Sequence, residues 1–190
     1  MRMTSGAVLT AALLAALATP AGAIVNGEPV SAAQYAREFP WTAVLVSPIN
    51  GQVCGATLVS PTFLVTAGHC TNKGLALLIG APDRRNARAL KIIDAIRDPR
   101  FDGQPGRFDI GLIRVEIPID GPVVRVPDEP EALALLQSAP AGVILGWGHQ
   151  KPGGDFAQIL AQARVRLAGY QLQGSLFFFE SVPAGACVGD

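Results

Sequence analysis

The sequence predicts an all-β fold, either a barrel or a sandwich. Its 190 residues are 49% hydrophobic and 16% charged, a composition that excludes a disordered chain and is sufficient for one large domain or two small ones. Short apolar runs rich in β-branched residues recur along the chain, and 21 glycines and 15 prolines separate them. Short strands divided by turn residues favour a β protein over a helical one.

The charge balance argues against a nucleic-acid partner. Fifteen Lys and Arg residues stand against fifteen Asp and Glu residues, so the formal net charge is zero. Proteins that bind nucleic acids usually carry a basic patch to contact the phosphates, and the sequence shows none.

The first 23 residues have the pattern of a secretory signal peptide. Arg2 provides a positive start, Ala7–Ala18 is apolar and uncharged, and Ala21-Gly22-Ala23 is a small-residue cleavage signature. The apolar run is shorter than the roughly 20 residues that span a bilayer, so a membrane anchor is the less favoured alternative. Cleavage after Ala18 is a second alternative, which would leave residues 19–23 as a short pro-segment. We therefore expect a secreted, extracellular protein with no membrane span after cleavage.

Five apolar runs in the first half are predicted to be strands, at residues 42–46, 52–60, 63–66, 75–80 and 89–97. Asn50-Gly51, a pair favoured in two-residue hairpin turns, separates the first two runs. Charged residues 83–86 lie between the last two, and we expect them to form a solvated surface turn. Residues 98–107 contain Gly and Pro and are predicted to form a long loop.

In the second half, Asp109 leads an apolar strand that continues to residue 115. By itself, an Asp at the start of a strand is usually a turn or cap residue. The Pro-rich residues 118–130 are predicted to form an extended linker, and residues 131–137 a helical turn. Further strands are predicted at 143–148, 162–167 and 176–179. His149 follows the first of these in a loop, where we expect it to be solvated.

A series of motifs after residue 23 resembles those of the chymotrypsin-like (trypsin-like) serine peptidases. In chain order they are Ile24-Val25-Asn26-Gly27, Cys54-Gly55-Ala56-Thr57-Leu58-Val59-Ser60, Thr66-Ala67-Gly68-His69-Cys70, Asp109-Ile110-Gly111-Leu112-Ile113, Gly146-Trp147-Gly148 and Cys187-Val188-Gly189-Asp190. Their order along the chain is much more specific than any single motif. The resemblance implies two antiparallel β-barrels of the chymotrypsin type, the second incomplete. It divides the chain into a signal peptide (1–23), an N-terminal barrel (24–117), a linker (118–130) and an incomplete C-terminal barrel (131–190).

The resemblance also implies the roles of several residues. His69 would be the catalytic base and Asp109 the acid that orients it. Cys54 and Cys70 would form a disulfide, which leaves Cys187 unpaired among the three cysteines of the sequence. The sequence contains neither a G-x-S-x-G nucleophile elbow nor an H-E-x-x-H zinc motif, and we expect no metal and no cofactor.

The end of the sequence bears on the nucleophile. In the family, the run Cys-x-Gly-Asp is followed by Ser-Gly-Gly-Pro, whose serine attacks the substrate, whereas this sequence stops at Asp190. By the same resemblance, Gly189 would donate one N–H of the oxyanion hole, and Asp190 would pair with the Ile24 amine after cleavage. Gly185 would lie at the floor of the specificity pocket, where its lack of charge argues against tryptic specificity.

These observations predict a secreted serine endopeptidase, represented by a fragment that carries His69 and Asp109 but lacks the serine. The 190-residue chain itself is expected to be inactive. A second hypothesis is an inactive chymotrypsin-like homologue that acts as a binding or regulatory module. A third hypothesis is a secreted β-barrel fragment without activity. The expected partners are peptide or protein substrates and proteinaceous inhibitors, and the expected state is a monomer. We also expect the second half to be poorly stable, since missing strands would expose sheet edges and the run Phe177-Phe178-Phe179.

Overall fold

The computed structural model describes residue 24 and residues 26–104, 107–138, 141–149, 154–171 and 176–180. In chain order its elements are β1 (Glu28–Pro29), α1 (Ala32–Glu38), β2 (Thr42–Val46), β3 (Val53–Ser60), β4 (Phe63–Thr66), a 3-10 turn (Gly68–Cys70), β5 (Ala76–Ile79), β6 (Arg88–Leu90), β7 (Ile92–Arg97), β8 (Gly111–Val115), α2 (Glu129–Gln137), β9 (Ala141–Gly146), β10 (Ala161–Gln171) and β11 (Leu176–Glu180). The strands form two antiparallel sheets, so the predicted all-β class is confirmed.

The first sheet has seven strands in the order β6-β5-β2-β3-β4-β8-β7. The predicted run 89–97 is two strands rather than one, since β6 pairs with β5 and β7 pairs with β8, on opposite edges of this sheet. Within this sheet, β4 pairs with β8 so that Thr66 lies opposite Gly111. This register brings the residues that follow β4 next to the residues that precede β8.

The second sheet is built around β10, which pairs with β9 along one part of its length and with β11 along another. β10 extends to Gln171, four residues past the predicted end at 167. β1 also joins this sheet, with Glu28 opposite Gln162 and Pro29 opposite Ala161. The pairing of β1 with β10 therefore joins an early segment of the chain to a late strand. On β11, Phe178 and Phe179 are about half exposed, at 49% and 52%.

Two short helices flank the sheets in the described part of the chain, and the sequence patterns predicted only one of them. α1 begins after Ser31, whose side chain accepts a hydrogen bond from the Gln34 N–H, and it buries Tyr35. The Tyr35 hydroxyl donates to the Thr42 carbonyl at 2.6 Å, which fixes the helix to the start of β2. α2 begins at Glu129, two residues before the predicted turn, because Asp128 caps its N-terminus. The linker predicted at 118–130 therefore overlaps α2, and its role as a division between two halves stays a prediction.

Buried side chains form a core within the first sheet and a second cluster shared by both sheets. The first includes Leu45, Leu58, Leu64, Leu77 and Ile113. The second contains Val30, Tyr35, Phe39, Val44, Val53, Trp147 and Leu160. Because the second cluster draws on α1, β2, β3 and the loops around β9 and β10, its burial holds the two sheets together.

A short set of hydrogen bonds, here called the seam, joins the loop after β5 to the second sheet. It links Pro82 and Arg84 to Trp147, Phe156, Gln158 and Leu160. The Pro82 carbonyl accepts hydrogen bonds from Trp147 Nε1 and from the Leu160 N–H, each at 2.8 Å. The Arg84 N–H donates to the Gln158 carbonyl at 2.9 Å, and its guanidinium contacts the Gln158 side chain and the Phe156 carbonyl. The prediction of a solvated turn at 83–86 is therefore wrong for Arg84, because its groups find partners across the seam.

Neither described helix has the length and apolar character required to cross a membrane.

The predicted disulfide is confirmed: Cys54 on β3 is bonded to Cys70 in the 3-10 turn, with their Cα atoms 6.4 Å apart. We expect the double variant Cys54→Ala/Cys70→Ala to lose about 3 kcal/mol of unfolding free energy, because the bond closes a loop of about 15 residues. Urea unfolding monitored by tryptophan fluorescence would measure this loss, in a Cys187→Ala background that prevents thiol exchange. Dithiothreitol should destabilise the parent and leave the double variant unchanged. Equal urea midpoints for the two proteins would contradict the prediction.

Candidate active site

The histidine turn presents one exposed imidazole on a rigid base. β4 ends at Thr66, and the chain then enters the single 3-10 turn Gly68–Cys70, in which the Cys70 N–H donates to the Ala67 carbonyl. Cys70 is 2% exposed and bonded to β3, whereas the His69 side chain is 57% exposed. The turn therefore leaves the ring exposed to solvent while the disulfide and hydrogen bonds hold its backbone.

Asp109 contacts this histidine at two points. The His69 N–H donates to Oδ1 of Asp109 at 2.8 Å, and Nδ1 of the ring lies 2.8 Å from Oδ2. The β4–β8 register explains the proximity, since Asp109 precedes β8 by two residues and His69 follows β4 by three. The structure thus brings together the two residues that the sequence predicted as base and orienting acid.

The pKa of Asp109 lies below its usual value. Burial acts to raise this pKa. Hydrogen bonds from the His69 side chain, the His69 N–H and the Gly68 N–H lower it, and together they outweigh the effect of burial. The carboxyl group is therefore ionised at neutral pH and can only accept hydrogen bonds. An ionised partner at Nδ1 requires the proton of a neutral imidazole to sit on Nδ1, which leaves Nε2 as the basic nitrogen.

Small residues allow the start of β8 to pack closely against the turn. A Cβ atom at Gly68 would lie 3.1 Å from Oδ1 of Asp109, and one at Gly111 would lie 2.2 Å from Cγ2 of Thr71 and 2.8 Å from the Ile96 carbonyl. Thr71 also donates from Oγ1 to the Gly68 carbonyl at 2.5 Å. The Thr71 methyl group thus occupies the space that a side chain at Gly111 would need.

The residue before Asp109 adopts a conformation that the sequence did not reveal. Phe108 has a φ angle of +50°, in the left-handed region, which a bulky side chain rarely occupies. Such a backbone costs about 1–3 kcal/mol unless the surroundings hold it in place. No sequence signal indicates it, since Gly or Asn would be the usual residue at such a position.

The remaining predicted site residues divide into one that the structure describes and several that it does not. Ile24 is fully buried and packs with Ala157, Ala161 and Ala163. Its predicted ion-pair partner Asp190 lies outside the described residues, as do the predicted oxyanion donor, pocket floor and unpaired cysteine, Gly189, Gly185 and Cys187.

His149, predicted to be solvated, is instead half-buried. Its ring lies 4.2 Å from that of Phe156, centroid to centroid. It also forms an isolated β-bridge with that residue. The sequence showed only an apparent loop, because the packing partner comes from a later segment.

One cluster among the described residues brings three potential metal ligands within 4.8 Å of one another, namely Cys54, His69 and Cys70. Both sulfur atoms belong to the disulfide, so neither is available as the thiolate that a metal would need. The cluster is therefore explained by the disulfide beside the histidine.

The depressed pKa of Asp109 predicts how stability depends on pH. A carboxyl group with a folded-state pKa below its unfolded value of about 3.9 stabilises the fold above that pH, and this contribution is lost as the pH falls through the folded-state pKa. We expect Asp109→Asn to reduce the difference in unfolding free energy between pH 6 and pH 2.5, measured in urea. Asp155→Asn, which removes an exposed carboxylate elsewhere, controls for the change in charge. The prediction fails if Asp109→Asn and the parent lose the same free energy.

The packing at Gly111 predicts a second effect. We expect Gly111→Ala to lower the unfolding free energy by about 1–3 kcal/mol, because the new methyl group overlaps Thr71 and the Ile96 carbonyl. Adding Thr71→Ser removes Cγ2 and should restore part of the loss, since the contact with the carbonyl remains. Gly55→Ala on β3 is the matched control, as its Cβ would meet no atom within 4 Å. A thermal or urea midpoint for Gly111→Ala equal to that of the control would refute this account.

The chain is similar to known proteins over most of its length. The sequence profile of the family described as Trypsin matches residues 24–189. A "Suppressor of tumorigenicity 14 protein homolog" from Bos taurus is 28% identical over 170 residues, which cover 80% of this chain and 20% of that protein. A "Trypsin" from Saccharopolyspora erythraea is 29% identical over 148 residues, covering 75% of this chain and 63% of that protein.

The chain thus spans less than two thirds of the length of either relative. The profile match and the two antiparallel sheets agree with the predicted chymotrypsin-type double barrel. The chain belongs to the trypsin family of serine peptidases.

Proposed function

We propose that the protein to which this chain belongs is a serine endopeptidase, in which His69 is the general base and Asp109 orients it. The observation that carries the proposal is the two-point contact between these residues, which fixes the imidazole with Nε2 directed away from the carboxylate. The family match supports the same chemistry.

In the proposed mechanism, Nε2 of His69 accepts the proton of a serine hydroxyl as its oxygen attacks the peptide carbonyl. The same proton is then delivered to the leaving amine. Asp109 keeps Nδ1 protonated and stabilises the imidazolium that forms during each step. These roles follow the trypsin triad, the reference case for this mechanism.

Several further assignments belong to this proposal. Gly189 would supply an oxyanion N–H, worth roughly 3–4 kcal/mol to the transition state. An Ile24 amine freed by cleavage would pair with Asp190, because an unpaired charge at a buried position is very costly. Gly185 would leave the specificity pocket uncharged, which favours uncharged side chains over Arg and Lys.

We also propose that the protein acts outside the cytosol on peptide or protein substrates. The Cys54–Cys70 disulfide supports this location, because such bonds persist in oxidising compartments. The signal-peptide pattern of residues 1–23 points the same way but lies outside the described residues.

The test compares two proteins, the 190-residue chain and the full product of its coding sequence, for labelling by a fluorophosphonate and for peptide hydrolysis. We expect the 190-residue chain to remain unlabelled, because it lacks the serine that follows Cys-x-Gly-Asp in the family. We expect the full product to be labelled and active, and Asp109→Asn to lower its kcat by about 10⁴-fold. His69→Ala should lower it at least as much. His149→Ala is the control at the other histidine.

Two results would overturn the proposal. One is a full product that hydrolyses peptides equally well after His69→Ala. The other is a folded full product with no labelling and no hydrolysis, which would favour an inactive binding or regulatory module.

A further inference from the structure

The strained residue Phe108 is part of a set of contacts that surrounds Asp109. The guanidinium carbon of Arg100 lies 4.1 Å from the centroid of the Phe108 ring, a distance typical of a cation–π contact. The ring is thereby held against a planar cation while its backbone adopts φ +50°.

Arg100 is itself fixed by Asp98. Its Nε donates to Oδ1 of Asp98 at 3.0 Å and its Nη2 to Oδ2 at 2.8 Å, and its backbone N–H donates to Oδ1 at 2.9 Å. These contacts, the Arg100 side chain first, lower the pKa of Asp98 to about 2. Asp98 is therefore ionised at neutral pH, as its pairing with Arg100 requires.

The same segment is attached to both sides of Asp109. The Asp98 N–H donates to the Ile110 carbonyl at 3.0 Å, and the Ile110 N–H donates to the Phe108 carbonyl at 2.8 Å. The second bond closes a three-residue turn with Asp109 at its centre. The left-handed residue before Asp109 and the bonded residue after it thus set the direction of the carboxylate.

We propose that Asp98, Arg100 and Phe108, here called the clasp, are positioning residues that hold the Asp109 carboxylate in its two-point contact with His69. Arg100 stabilises the left-handed Phe108 by stacking on it, Asp98 fixes Arg100, and the resulting turn directs Asp109 toward the histidine. The catalytic meaning of the clasp rests on the proposed function, but the geometry that it sets can be measured without any hydrolysis.

The experiment follows the Asp109 carboxyl and the His69 Nδ1 proton by NMR in the 190-residue chain. Carbon-13 labelling of Asp reports the pKa of Asp109, and the low-field proton spectrum reports the hydrogen bond at Nδ1. In Arg100→Gln we expect the pKa of Asp109 to rise toward about 3.9 and the low-field signal to broaden or disappear. Arg100→Lys should act similarly, because an ammonium keeps the charge but loses the planar stack.

Asp98→Asn separates positioning from simple electrostatics. Removing a negative charge would by itself favour ionisation of Asp109 and lower its pKa. Loss of the clasp would instead weaken the hydrogen bonds from His69 and raise it. We therefore expect the pKa of Asp109 to rise in Asp98→Asn.

A rescue variant tests the role of the left-handed backbone. Asn tolerates this conformation without a stacking partner, so Phe108→Asn should preserve the His69 signal, and Arg100→Gln should have no further effect in that background. Phe108→Val, a β-branched residue that strongly disfavours positive φ, should lose the signal although Arg100 remains.

Arg85→Gln is the matched control, because Arg85 binds Asp83 two residues earlier with the same pattern of side-chain and backbone hydrogen bonds. None of the cation–π contacts among the described residues involves it. We expect no change in either NMR signal for this variant. Circular dichroism would establish that each variant is folded.

The proposal is overturned if folded Arg100→Gln keeps the parent's Asp109 pKa and low-field signal, or if Asp98→Asn lowers that pKa. If Arg100→Gln does not fold, the Asp109 pKa and the low-field Nδ1 signal are measured instead in Arg100→Lys and in the double variant Phe108→Asn/Arg100→Gln. The outcomes expected above for these two variants then test the role of the clasp. A chain without peptidase activity can still pass these tests, so failure of the clasp and failure of the proposed function are distinguishable.

Discussion

The candidate site depends on the pairing of β4 with β8. With Thr66 opposite Gly111, the turn after one strand meets the segment before the other, and both oxygens of Asp109 reach His69. A shift of one residue along either strand would exchange the buried and exposed faces and move the carboxylate away from the ring. The buried side chains Leu64 and Ile113, which lie opposite each other on these strands, favour the observed register. The core therefore sets the geometry of the polar pair at its edge.

The relation between the two sheets rests on a different kind of contact. Apolar side chains from both sheets share one cluster, but the direction of approach is fixed by polar groups at the seam, above all the Pro82 carbonyl with its two donors. Buried backbone acceptors need partners, and Trp147 and Leu160 supply them from the second sheet. Burial of the cluster favours association without specifying direction, whereas these hydrogen bonds select one arrangement.

Local patterns in the sequence were sufficient for most strands of the first sheet, although they merged β6 and β7 into one, and for the pair His69 and Asp109. Short apolar runs rich in β-branched residues marked β2, β3 and β4, and the motifs marked the two polar residues. The patterns did not reveal α1, which is short and is bonded through the Tyr35 hydroxyl to β2, the strand that follows it. Nor could they reveal the partial burial of Arg84 and His149 or the backbone of Phe108, because contacts outside the local strand patterns determine these features. The missed features lie largely at the seam and beside Asp109.

The pairing of β1 with β10 has a consequence for the way the protein is made. Glu28 and Pro29 are synthesised early, yet their partners Gln162 and Ala161 on β10 leave the ribosome only after about 130 further residues have been translated. Contacts between such distant segments close large loops and slow the search for the native state. The nascent first sheet can assemble from neighbouring hairpins while translation continues, but β1 cannot pair until β10 has been made.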